Sequence, residues 1–222
     1  IAAAAALAAA LALAAQLATA VGRTAHWPDY TSMLAQWPAP LAWLRWVLGD
    51  MSEATFYKHE LASLGMLAGG ALAWRACRRG SQWQGFAISY ATGLWPWLLL
   101  SSTLGLVLGN LLWGWTIRDG QGWQPTFVAF VSLPAATVLM YGRGWKITVV
   151  GAVLGALLVT PSSLLLVNFV FAPLALPGVI GNVGGMALGS VVAFMLYRRL
   201  PWLTTHDNAP QIVAALPPEQ VF

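Results

Sequence analysis

The 222 residues are 59% hydrophobic and 8% charged, with a formal net charge of +4 and a mean hydropathy of +0.69. A water-soluble domain carries roughly a quarter of its residues as Asp, Glu, Lys and Arg. That class is excluded, and the composition predicts an all-α, polytopic transmembrane helix bundle. The basic residues stand in short clusters between apolar runs, so nucleic acid is not an expected partner. The single cysteine, Cys77, excludes an internal disulfide and a Cys-rich metal centre, and no cofactor is expected.

Residues 1–22 are apolar apart from Gln16 and Thr19 and rich in alanine. A signal-peptide core is about 7–15 residues, whereas this run approaches the roughly 20 needed to span a bilayer, so it is read as a first span. Residues 23–54 form a loop rich in tryptophan and proline, including Trp27, Trp37, Trp43 and Trp46. Its segment 41–48 is apolar apart from Arg45, which suits a helix lying in the outer headgroup layer.

Asp50 and Glu53 are spaced like an acidic helix cap, which predicts a helix starting there and running into the second span, residues 55–74. On one continuous helix Glu53, Tyr57, Glu60 and Leu64 share a face. Glu60 and His59 then lie just inside the span, where ionisable groups are costly and commonly functional. The remaining spans are expected at about 88–112, 125–141, 147–171 and 178–197, where charge is absent. Pro96 and Pro134 interrupt two of them, and Pro173 and Pro177 divide the last long run. Residues 1–203 therefore make one transmembrane domain, followed by a polar, proline-bearing tail at 204–222.

Arg75, Arg78 and Arg79 follow span two, Arg143 and Lys146 follow span four, and Arg198 and Arg199 follow span six. The positive-inside rule places these clusters, and both termini, in the cytoplasm of a cell with an inner membrane. In size and topology alone, six helices with both termini inside and a small-residue first helix resemble the substrate-binding subunits of energy-coupling-factor transporters.

The deeper spans hold hydroxyls and amides: Asn110, Thr160, Ser162, Asn168 and Asn182. Such groups need partners or a cavity when removed from water. Proline at 161 frees a backbone carbonyl that neighbouring hydroxyls can satisfy or offer to a solute. Together with Glu60 and His59 these are the candidate substrate-binding residues. Glycines four apart (65 and 69, 105 and 109, 151 and 155, and the series 181, 185, 189) predict close helix contacts. No HExxH, GxSxG or GxxxxGK[ST] motif occurs, and no catalytic residue or metal ligand set is assigned. The expected function is passage of a small neutral or weakly polar solute. The alternatives are a non-catalytic subunit of a membrane complex and a lipid-modifying enzyme using His59 and Glu60. Expected partners are membrane lipids, and other membrane subunits or a second copy of the chain.

Overall fold

A computed structural model describes residues 2–24, 30–54, 58–81, 93–120 and 122–203. The expected tail at 204–222, Tyr57 and the first residues of the third expected span lie outside these. In chain order come α1 (Ala2–Thr24), α2 (Tyr30–Ala35), α3 (Pro40–Glu53), α4 (Glu60–Arg78), α5 (Trp95–Trp113) and α6 (Trp115–Asp119). A 3₁₀ turn (Thr126–Ala129) leads to α7 (Leu133–Tyr141), the long α8 (Trp145–Phe171) and α9 (Gly178–Tyr197). The described residues contain helices and no strand. Among the described residues three helices, α5, α8 and α9, are long and apolar enough to cross a membrane. Their outer faces carry exposed apolar side chains such as Leu111, Phe169 and Val183, which suit contact with lipid.

Prolines mark where helices begin. Pro40, Pro96 and Pro134 stand in the first turns of α3, α5 and α7, and Pro177 is the N-cap of α9. A proline there loses no intrahelical bond, because first-turn N–H groups have no partner in the helix. The expectation that Pro96 and Pro134 interrupt helices is therefore corrected: both start them. The division of the last apolar run is observed, with α8 ending at Phe171 and α9 opening at Gly178.

Pro161 does lie inside a helix, and α8 adapts by widening. The Thr160 N–H reaches back five residues to the Gly155 carbonyl, one turn of π-helix. The next amide along belongs to proline and has no N–H, so the Ala156 carbonyl is left without a helical partner. The Trp113 indole N–H of α5 donates to that carbonyl at 2.8 Å. The freed carbonyl is thus held by an indole from another helix rather than by nearby hydroxyls.

Small residues set the packing. A methyl group at Gly189 would stand 2.7 Å from the Val159 Cα, one at Gly181 2.9 Å from the Val167 nitrogen, and one at Gly185 would collide with Ser163. The glycine series of α9 is therefore the surface on which α8 rests. Pro134 wedges between α5 and α8, within 2.8 Å of a Cβ added at Gly105 and 2.7 Å of one at Gly155. The pair on α4 behaves differently. Among the described residues, nothing lies within 4 Å of an added Cβ at Gly65 or Gly69.

Candidate functional site

Arg45, Asp50, Glu53, Lys58 and Glu60 meet at one end of the bundle, where α3 and α5 finish and α9 begins. Pro40 opens α3, and an apolar stripe of Ala42, Trp46 and Val47 buries that helix. Asp50 lies one turn beyond Trp46 and is 0% exposed. Its Oδ2 accepts from the Thr126 hydroxyl at 2.7 Å and from the Asn110 amide at 3.0 Å. Its Oδ1 takes the Lys58 ammonium. Trp46 completes the arrangement: its indole donates to the Thr126 oxygen at 2.9 Å, and its ring carries the Lys58 ammonium 3.8 Å from the centroid. A buried charge survives only when paired and hydrogen-bonded, and Asp50 has three donors.

A second pair lies beside the first. The Arg45 guanidinium donates to the Glu60 carboxylate, which is 6% exposed. Glu60 opens α4, and the N-cap of that helix is His59, whose Nδ1 accepts the Leu61 N–H at 3.1 Å. Ser52 bridges the two helices through the His59 carbonyl and the Ser63 hydroxyl. The expected helix start at Asp50 and Glu53 is thus corrected. Both residues belong to the end of α3, and their carboxylates serve side chains from other elements rather than backbone N–H groups. Glu53 and Glu60 fall on separate helices and do not share a helical face.

Glu53 is the remaining acid. Its Oε1 accepts the Trp123 indole N–H at 2.9 Å, and its Oε2 is 3.9 Å from the Lys58 ammonium. Among the described residues that Oε2 is buried and accepts no hydrogen bond. Burial pushes the Glu53 carboxyl above its usual range, and the Trp123 bond only partly opposes this.

Glu53 borders a groove of about 340 Å³ whose other walls come from Ala54, Trp123, Phe127, Val131 and the first three turns of α9. Asn182 is the polar residue that α9 contributes to this wall, at 6% exposure, with an Oδ1 that accepts nothing among the described residues. The opposite end of the bundle has a wider recess of about 670 Å³ lined by Trp145, Lys146, Val149, Val150 and Trp202.

The expected site residues are thus dispersed. Asn110 joins the Asp50 network and also donates to the Leu106 carbonyl at 3.1 Å, so its amide nitrogen is spent. Thr160 is buried against Gly109, Ser162 is half-buried on α8, and Asn168 donates to Gln124 at 2.8 Å. Asn182 borders the groove and Asn110 does not. Glu60 and His59 are neighbours at 4.0 Å but border no part of it. Sequence reasoning missed Asp50, Lys58, Glu53, Thr126 and Trp123. One signal was available: Trp46 and Asp50, four apart after a proline, mark one face of a helix that starts at Pro40. Compared with known proteins, the chain matches no family model, no curated protein and no solved structure.

Proposed function

We propose that this is a multi-pass inner-membrane protein that binds a small solute at the groove beside α9 and passes it across the bilayer. The proposed topology has six spans with both termini cytoplasmic, α3 lying between the first two on the outer side. One observation carries the solute-binding reading. Glu53 and Asn182 are the two side chains with polar ends that border a single, otherwise apolar groove. Pockets that take small ligands have this character, with apolar walls and a few convergent polar groups. The helices beyond the groove hold hydroxyls and amides, which suits passage in an uncharged or weakly polar form.

The test is flux into proteoliposomes, followed by light scattering with small neutral solutes graded from glycerol to butanediol. At least one should enter faster than into protein-free vesicles, and the groove-filling change Val183→Trp should slow it. If no solute shows protein-dependent entry, the transport reading falls.

A second reading, a subunit of a larger membrane complex, is favoured by α4. Among the described residues its Gly65 and Gly69 positions are open, and Leu61, Leu64, Met66 and Leu72 are exposed around them. Small residues at this spacing are what a neighbouring helix packs against in lipid.

A further inference from the structure

We infer that the wide recess at the end of the bundle away from Asp50 seats one anionic phospholipid, its phosphate at Lys146 and its acyl chains over Val149 and Val150. This rests on the membrane reading of α5, α8 and α9 and is independent of the groove beside Glu53.

Charge makes the first argument. The recess, of about 670 Å³, is lined from the start of α8 and, through Trp202, from the segment after α9, and Lys146 is its charged residue. Tyr141 closes α7 and Tyr197 closes α9, and their rings meet edge to face at 5.4 Å. Arg143, Arg198 and Arg199 stand within two residues of those rings, so they come to the same end. The last turns of α4 join them: Trp74 stacks on Trp95 of α5 at 5.8 Å, and Trp97 of α5 meets Trp145 at 5.5 Å.

Among the described residues the acids lie at the other end. Asp50, Glu53 and Glu60 belong to the paired cluster, and Asp119 ends α6, beyond the far end of α5. Arg143, Lys146, Arg198 and Arg199 are exposed, and none has an ion pair among the described residues. Cations gathered without carboxylates draw anions from outside the chain.

The order of groups along the recess makes the second argument. Lys146 lies in the first turn of α8, and Val149 and Val150 follow one turn deeper along that apolar helix. Trp145 and Trp202, at 64% and 40% exposure, flank the mouth, and indoles favour the headgroup level of a bilayer. Cation, indole and aliphatic wall thus repeat the order of phosphate, glycerol and chain in a phospholipid. A free phosphate would use the lysine alone and leave the valines bare. No side chain caps α8, and the positive end of its dipole adds to the attraction for a phosphate.

The experiment is native mass spectrometry of the full chain in detergent, with phosphatidylglycerol and phosphatidylcholine of identical acyl chains as probes. One phosphatidylglycerol should be retained in preference to phosphatidylcholine. Lys146→Gln should cut that preference by about fivefold, the worth of one basic residue at a lipid surface. Arg79→Gln removes the same charge from α4 outside the recess and should leave the preference unchanged. Val149→Trp, which fills the recess, should lower retention of both lipids. If the two lipids are held alike, or Lys146→Gln and Arg79→Gln weaken retention equally, the basic end is a diffuse surface and the seat is wrong. Displacement of the lipid by glycerol 3-phosphate, or no effect of Val149→Trp, would show that the chains are not bound and overturn the lipid assignment. Alkaline carbonate washing separates this from the reading it rests on. Release of the chain from its membranes would remove the membrane reading, whereas a chain that stays and shows no preference loses only the lipid seat.

Discussion

Asp50 shows how much one buried carboxylate can organise. It joins α3, α5, the 3₁₀ turn and the segment before α4 through Asn110, Thr126 and Lys58. Breaking such a pair by removing one partner costs about 3–5 kcal/mol, because the other charge stays buried. Asp50→Asn should therefore lower stability in detergent by that order, read from denaturant unfolding. Replacing both partners, as Asp50→Leu with Lys58→Met, should recover part of the loss. A double variant worse than the single would show that the network stabilises beyond its own desolvation. Glu53 makes a different prediction. Its carboxyl is held above its usual value of 4.5, so the folded state binds the proton more tightly than the unfolded state. Its contribution is then fully present below that value and is lost as pH rises through the raised one. Melting temperatures of the wild type should fall relative to Glu53→Gln across that window. Parallel curves would mean that Glu53 is not strained by burial.

At the scale of the element, α8 is the helix with the most to explain. The first of its two π segments, Gly155–Val159, places Thr160 against Gly109 and leaves the Ala156 carbonyl for Trp113. Trp113→Phe keeps the ring and removes the donor. It should cost about 1–3 kcal/mol, the penalty for an unsatisfied buried acceptor, in the same unfolding assay. An unchanged midpoint would mean that water replaces the indole. This helix was legible in outline from its apolar length and from Pro161. The indole partner was not, since nothing local in the sequence links positions 113 and 156. The glycine series of α9 was legible in full, because close backbone approach demands small residues at fixed spacing. The end of α3 was misjudged. An acidic pair before an apolar run looks the same whether the acids cap the next helix or end the previous one, and only the long-range partners Asn110 and Thr126 decide.

For the molecule as a whole, the all-helical class and the three long apolar helices follow from composition, while the route of the chain across the bilayer is the part to be measured. In a Cys77→Ser background, single cysteines at Ser81, Gly144 and Thr205 should resist impermeant thiol reagents in intact cells, and one at Thr31 should react. External labelling at Gly144 would overturn the six-span arrangement. The site was less legible than the class for a physical reason. Sequence patterns report what each helix buries, whereas a groove arises from the space that several helices leave between them.

The Asp50 network also constrains how the chain is made. Asn110 is synthesised 60 residues after Asp50, and Thr126 76 residues after it. Until those donors emerge, the Asp50 carboxylate has only Lys58, eight residues on, to offset the penalty of entering an apolar interior. In the proposed topology α3 waits on the watery side of the membrane while α5 inserts and the turn forms, then folds in as a late piece. The hydrogen bonds of this acid thus tie the packing of α3 to segments made much later in the chain.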